Sequence, residues 1–287
     1  MTIKKIITCG CSFSDSMYSW NMQLENYFTG IDFEHLGMGS QGNELIQKKT
    51  SLAVIESLEK YKPEEILVLV MWSGTERKTF YINNPETIDE ARNNGFRIWG
   101  KQLADLKNNI THKEEITETG GVVEFNRLGG WFNSNFLYPG INLTKEYFNS
   151  TVDIINAVHT TIENIIMLQN ICKLHNVKLY QQFYRSYVYE DILNNQHNQI
   201  IGYLYKQLDY STIISTTGIF EYLRDSIERK PATNKWEHIM NFVFKDTSSN
   251  SDKYFISRED VHPNQLGHNR WLTEVIIPRL TADNFLN

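Results

Sequence analysis

The sequence contains few cysteines for its length. Cys9, Cys11 and Cys172 are the three thiols among 287 residues, so no disulfide framework is expected and the chain suits a reducing compartment. Cys9 and Cys11 share one face of a predicted strand, but two thiols fall short of the full ligand set of a structural zinc site. We therefore expect neither disulfide stabilisation nor a metal at this pair.

A broad positive surface and a long apolar run are also missing. The formal net charge is −6, from 28 basic and 34 acidic side chains, which disfavours a nucleic acid or an anionic lipid surface as partner. The apolar stretch 6–13 is interrupted by Gly10, is too short to span a bilayer and lacks a small-residue cleavage site. These features predict a soluble cytoplasmic protein without membrane or nucleic-acid partners.

The apolar segments 3–9 and 66–72 have the character of buried parallel strands, and residues 31–36 and 177–183 are predicted to be two further strands. They alternate with segments predicted to be helical, namely residues 15–28, 44–61, 145–175, 190–207 and 219–227. This alternation predicts an α/β protein with a doubly wound parallel sheet in three α/β/α layers. Residues 77–145, rich in asparagine, glycine and aromatic residues, are predicted to be an irregular insertion or lid with helical stretches, within one domain that spans residues 1–287.

Small and polar residues follow three of these predicted strands. Ser12 follows the first, the glycine-rich segment 37–42 follows the second, and Ser73 with Gly74 follows the third. Because ligands of open parallel sheets bind outside the carboxyl ends of the strands, we expect these residues to share one site. His262 supplies an imidazole late in the chain, and a serine hydroxyl beside an imidazole is the minimum set for nucleophilic catalysis.

Four short blocks carry a resemblance to a known family. They are Gly10-Cys11-Ser12-Phe13-Ser14, the glycine-rich segment 37–42, Trp72-Ser73-Gly74 and Asp260-Val261-His262-Pro263. Together they resemble the SGNH (GDSL-like) hydrolases, in particular divergent, often phage-encoded members, and they cover the first quarter and the last tenth of the chain. The resemblance implies a three-layer α/β/α fold and cleavage of an ester or amide-type acyl substrate without a metal or other cofactor.

The resemblance also implies roles for the matched residues. Ser12 would be the nucleophile and His262 the general base, which takes the serine proton during attack and returns it to the leaving group. The family acid lies three residues before the histidine, at Glu259, whereas the phage-type pattern places an aspartate at Asp260. Either carboxylate, or a backbone carbonyl, would orient His262, with a slight preference for Asp260.

An oxyanion hole is the next element that the resemblance implies. Its backbone donors would come from Ser12 and from Gly39 or Ser40, with Gly74 at the end of the third strand as a further candidate. The family also uses an asparagine side chain from its third block, and residues 72–77 contain none. Losing one such donor typically lowers the rate by on the order of a hundredfold to a thousandfold.

Three other side chains remain candidates at this site. Asn43 or Ser73 would replace the missing donor, and Asn43 is also predicted to bind substrate. Arg77 follows the third strand and is a candidate for binding an anionic substrate group, since a guanidinium matches carboxylate and phosphate geometry.

Three functions therefore remain open at this point. The first is a serine esterase or O-deacetylase acting on a small-molecule or glycan ester, at a site that would also support acyl transfer to a sugar hydroxyl. The second is a catalytically impaired scaffold that binds a protein partner, suggested by the missing asparagine and the long aromatic insertion. The third is a nucleotide-binding protein, because Gly37, Gly39 and Gly42 match the spacing of a dinucleotide fingerprint, although they follow the second strand and not the first.

Overall fold

The structure is a computed structural model that describes residues 3–39, 41–75, 77–82, 97–99, 121–126, 154–224, 227–229, 242–244, 251–256 and 262–286. Of the predicted site residues, Ser40, Glu259 and Asp260 lie outside the described residues. Most of the predicted insertion 77–145 lies outside them as well.

A four-stranded, fully parallel sheet forms the centre of the molecule. The described strands are β1 (Lys5–Cys9), β2 (Asp32–His35), β3 (Ile66–Trp72), β4 (Arg77–Ile82), β5 (Arg97–Trp99), β6 (Gly121–Asn126), β7 (Lys178–Phe183), β8 (Ile227–Arg229) and β9 (Phe242–Phe244). The central sheet has the order β2-β1-β3-β7, and its four strands match the four that the sequence predicts. The prediction of an α/β fold with a parallel sheet is confirmed.

Helices cover both faces of this sheet. They are α1 (Trp20–Leu24), α2 (Asn43–Ser57), α3 (Ile154–Leu174), α4 (Ser186–Asn194), α5 (Gln199–Tyr205), α6 (Ile219–Tyr222), α7 (Ser251–Tyr254), α8 (Gln265–Trp271) and α9 (Ile277–Ala282). Helices α2 and α3 pack together in one group, and α1 packs with α8 in another. Among the residues described, no helix combines the length and the apolar character needed to cross a bilayer.

The innermost strands are buried along their whole length. Every residue of β1 and of β3 is buried, as expected for parallel strands with helices on both faces. Side chains of β7 alternate between the two faces. The Trp72 indole N–H donates to Gln181 Oε1 (2.8 Å), while the Trp271 indole N–H donates to the neighbouring Gln182 Oε1 (2.7 Å). These buried pairs satisfy both tryptophan donors and join β7 to β3 and to α8.

Three elements differ from the sequence-based prediction. The predicted single helix over residues 190–207 is two helices, because the Asn198 side chain accepts from the N–H groups of Ile200 and Ile201 and caps a new helix there. The predicted helix over 15–28 is reduced to α1 and a 3₁₀ turn. The described parts of the predicted insertion form an antiparallel sheet of order β4-β6-β5, where we expected helical stretches.

Candidate active site

The strand order creates a crevice at the carboxyl ends of β1 and β3. The chain passes from β1 to β2 on one side and then crosses back to β3 on the other side, so neighbouring connections diverge between β1 and β3. Such a topological switch point is where open α/β sheets bind ligands. Ser12 follows β1 and Ser73 follows β3, so both lie at this crevice.

Ser12 begins a 3₁₀ turn, Ser12–Ser14, that is anchored from within the protein. The Ser14 hydroxyl accepts a hydrogen bond from the Trp20 indole N–H (2.9 Å), and its carbonyl accepts one from the Asn21 amide (3.2 Å). Ser14 itself is buried, whereas Ser12 is half-buried. The turn thus fixes the backbone below Ser12 and leaves its side chain at the edge of the crevice.

His262 is held by the backbone on both sides. Its carbonyl accepts from the N–H of Ile256 (3.0 Å), and the N–H of Asn264 donates to the carbonyl of Tyr254 (2.9 Å). The Asn264 side chain then accepts from the N–H of Gly267 (3.0 Å) and caps α8. An antiparallel bridge and a helix cap therefore set the position of the imidazole before any ligand binds.

The Ser12 hydroxyl and the His262 imidazole meet within hydrogen-bond distance. Ser12 Oγ lies 2.8 Å from His262 Nε2, although 250 residues separate them in the chain. The His262 ring also packs on the Phe13 ring, with 5.0 Å between centroids. In the tautomer that carries its proton on Nδ1, Nε2 accepts the hydrogen bond from Ser12, which is the geometry that a general base needs. The carboxylates predicted to select that tautomer lie outside the described residues.

A second histidine, His268, lies on α8 close to His262. It is 2 % exposed, and its Nδ1 is buried without a hydrogen-bond partner. Burial lowers the pKa of His268 to about 3, and the nearby His262 contributes to the same shift. His268 therefore stays neutral at ordinary pH and adds no positive charge beside the His262 imidazole.

This burial predicts a stability that depends on pH. In the unfolded chain His268 has its usual pKa near 6.5. Below that pH His268 therefore binds a proton in the unfolded chain but stays neutral in the folded chain. The free energy of unfolding should then fall by up to about 1.4 kcal/mol for each pH unit lost below 6.5. Urea unfolding of the wild type and of His268→Leu at several pH values measures this slope. A wild-type slope no steeper than that of His268→Leu would contradict it.

The predicted oxyanion donor Gly39 is already engaged. Its N–H donates to Asp15 Oδ2 at 2.6 Å, a short bond of the kind that a charged acceptor makes. In this conformation the Gly39 N–H is bonded within the protein, so its predicted role as an oxyanion donor requires the Asp15 carboxylate to leave it. Gly74 is buried at the end of β3, and its carbonyl accepts from the Arg77 N–H (3.4 Å). Ser40 lies outside the described residues.

The Asn43 side chain, which was predicted to bind substrate, is hydrogen-bonded within the protein at the end of β3. Its Oδ1 accepts from the N–H of Ser73 (2.7 Å), while its Nδ2 donates to the Ser73 carbonyl (3.0 Å) and to the Thr161 hydroxyl (3.2 Å). The side chain is buried and both amide protons are used. Asn43 fixes the loop after β3 against α3, and it has no donor left for substrate or for an oxyanion.

Arg77 is connected to the end of β1 through Gln41. Its Nη1 donates to the Gln41 carbonyl (3.0 Å), and the Gln41 amide donates to the Gly10 carbonyl (2.7 Å), two residues before Ser12. The guanidinium also lies over the Tyr184 ring, 5.6 Å from its centroid. The Arg77 side chain is half-buried.

Two groups at this site were not predicted from the sequence. The Asp15 carboxylate accepts a hydrogen bond from Gly39 of the glycine-rich loop, and Tyr184 with Arg185 follows β7 at the same edge of the sheet. The rule that led to Ser12, that residues just after parallel strands line the site, applies equally to Tyr184 and Arg185. Asp15 also bears on the nucleotide alternative, because a carboxylate on the loop of Gly37, Gly39 and Gly42 repels a phosphate.

The chain was compared with models of protein families, with curated proteins and with solved structures, and none of them matches it.

Proposed function

We propose that the chain is a serine esterase or O-deacetylase of the SGNH type that acts on a small-molecule or glycan ester. The observation that carries the proposal is the 2.8 Å contact between Ser12 Oγ and His262 Nε2 at the switch point of a parallel sheet. The three-layer arrangement and the four sequence blocks support the same assignment. Transfer of the acyl group to a sugar hydroxyl, in place of water, would use the same residues.

The proposed reaction proceeds in two stages. His262 Nε2 takes the Ser12 proton while Oγ forms a bond to the ester carbonyl carbon, and the protonated imidazole then donates to the departing alcohol as the ester bond breaks. In the second stage water attacks the acyl-enzyme, gives its proton to Nε2, and the serine hydroxyl is restored as the acid leaves. Glu259 or Asp260 is proposed to hold the imidazole in the required tautomer.

The oxyanion is proposed to bind first to the N–H of Ser12. The N–H of Gly39 becomes a second donor only when the Asp15 carboxylate leaves it. This engaged donor is the observation that favours the second candidate, a scaffold with a weakened active site that binds a partner. The two candidates differ in turnover, so a direct assay separates them.

Hydrolysis of activated esters tests the proposal. We expect the wild-type chain to cleave p-nitrophenyl acetate with saturable kinetics and to lose this activity after treatment with a fluorophosphonate. The reagent should be incorporated at one equivalent, because it reacts with an activated serine. If a panel of p-nitrophenyl esters is not cleaved and no fluorophosphonate is incorporated, the esterase proposal is wrong and the binding scaffold is favoured.

A further inference from the structure

A buried glutamine joins the chain before Ser12 to the glycine-rich segment 37–42. Gln41 belongs to that segment and is 0 % exposed. Its Nε2 donates to the Gly10 carbonyl (2.7 Å) and to the Leu36 carbonyl (3.1 Å). Gly10 lies two residues before Ser12, and Leu36 directly follows β2. One amide group therefore bonds the backbone that follows β1 and the backbone that follows β2.

Lys49 on α2 determines which way the Gln41 amide points. Lys49 is 3 % exposed, and its Nζ donates to Gln41 Oε1 (2.9 Å) and to the Leu36 carbonyl (2.7 Å). A lysine ammonium has three donors and no acceptor, so only the amide oxygen can face it. The amide nitrogen then faces the two backbone carbonyls, which can only accept. A carboxylate of the same shape at position 41 would place an acceptor against both carbonyls.

The backbone of Gln41 is held as well as its side chain. Its N–H donates to the Met38 carbonyl (3.2 Å), and its carbonyl accepts from Arg77 Nη1 (3.0 Å). The Met38 N–H donates to the same Gly10 carbonyl (3.1 Å) that the Gln41 amide binds. Because both parts of Gln41 are bonded, the amide can hold the two backbone segments at a fixed separation.

This separation matters because the glycine-rich segment packs on the nucleophile turn, Ser12–Ser14. A Cβ at Gly37 would lie 2.0 Å from the Ser14 carbonyl oxygen, so the two segments leave no space between them at this point. The same segment carries Gly39, the proposed second oxyanion donor. A shift of one segment against the other would therefore move Ser12 Oγ relative to the groups with which it is proposed to act.

We infer that Gln41, oriented by Lys49, is a positioning residue that fixes the nucleophile turn against the glycine-rich segment. The inference rests on the proposed esterase activity and adds a residue that acts only through the backbone of Gly10 and Leu36. Loss of its amide should lower kcat and leave KM for a small ester nearly unchanged, because the nucleophile is displaced while the surface that binds the ester is kept.

Two substitutions of similar size test the role of the amide. Gln41→Met removes its donors, and Gln41→Glu replaces the donating nitrogen with an acceptor. We expect kcat for p-nitrophenyl acetate to fall by about a hundredfold in each variant, the effect of a displacement near 1 Å. The rate of fluorophosphonate incorporation at Ser12 should fall in parallel, because it depends on the same hydroxyl.

A third substitution, Lys49→Met, tests whether the lysine acts through the glutamine. Without the ammonium the Gln41 amide is free to turn over, so we expect a smaller loss of kcat than in Gln41→Met. The double variant should have a kcat little below that of Gln41→Met alone, because effects on one shared contact are not additive. Steady-state kinetics of the four proteins, including wild type, complete this cycle.

Gln169 on α3 provides the matched control. It is 5 % exposed, its Nε2 donates to the Asp209 carbonyl and the Thr212 hydroxyl (both 3.0 Å), and its Oε1 accepts from the Asp209 N–H (3.1 Å). None of these partners belongs to the candidate site. Gln169→Met should therefore lower the urea midpoint about as much as Gln41→Met does, yet keep the wild-type kcat.

A kcat in Gln41→Met and Gln41→Glu equal to that of Gln169→Met would overturn the inference and leave the esterase proposal intact. Should neither Gln41 variant fold, Lys49→Met decides, and a wild-type kcat there overturns it equally. If the wild-type protein cleaves no ester and incorporates no fluorophosphonate, the esterase proposal fails, and the positioning role fails with it.

Discussion

Replacing Ser12 or His262 with alanine should lower kcat for p-nitrophenyl acetate by about six orders of magnitude, the scale seen when a nucleophile or its base is removed. The two residues act as one unit through the 2.8 Å contact between Oγ and Nε2. For this reason the double variant should be little worse than either single variant. Steady-state kinetics of the three variants measure both effects.

The controls for this experiment are a serine and a histidine far from the crevice. Ser211 is exposed on a 3₁₀ turn after α5, and His197 is exposed in the loop between α4 and α5. Ser211→Ala and His197→Ala should retain wild-type kcat. Added imidazole should restore part of the rate of His262→Ala and none of the rate of Ser12→Ala. Full activity in either site variant would exclude the Ser12–His262 mechanism.

Replacing Gly37 with alanine should damage the site without touching a reacting group. A Cβ at Gly37 would lie 2.0 Å from the Ser14 carbonyl oxygen and 2.7 Å from its carbon, so the 3₁₀ turn that begins at Ser12 must shift. A displacement near 1 Å in a positioned group lowers a rate by roughly a hundredfold. The added methyl should also lower the free energy of unfolding by about 1–3 kcal/mol.

Gly30 provides the matched control for this substitution. Its φ angle is +71°, in the left-handed region, but a Cβ at this position would have no neighbouring heavy atom within 4 Å. Gly30→Ala should therefore lower the free energy of unfolding by about 1–2 kcal/mol through backbone strain alone and leave ester hydrolysis unchanged. Urea unfolding and p-nitrophenyl acetate kinetics separate the two variants. Wild-type kinetics in Gly37→Ala would show that the position of the turn does not matter.

The central sheet could be predicted because its strands carry a strong local signal. Residues 66–72 are apolar throughout, and all seven are buried in β3, where helices cover both faces. The strands β4, β5 and β6 were missed because their segments include charged and polar residues and lack the continuous apolar run that identifies β3. The predicted helix boundaries were wrong where a single side chain determines them. Asn198, for example, caps the start of α5 and so divides the predicted helix in two.

Site residues could be predicted only where a residue with suitable chemistry directly follows a predicted strand. Ser12 follows β1, and the structure brings its hydroxyl to His262, the pairing that the two blocks suggest. Asn43 could not be assigned from the sequence, because a buried amide that binds the Ser73 backbone has the same one-dimensional pattern as one that binds substrate. Likewise, only the structure shows that Asp15 accepts a hydrogen bond from the N–H of Gly39.

Peptide mapping after fluorophosphonate treatment shows which residue is the nucleophile. We expect a single adduct, on Ser12, in the digested wild-type protein, and we expect His262→Ala to form this adduct far more slowly. An adduct on another residue, or an adduct on Ser12 that forms equally fast in His262→Ala, would contradict the claim that the two ends of the chain build one nucleophilic site.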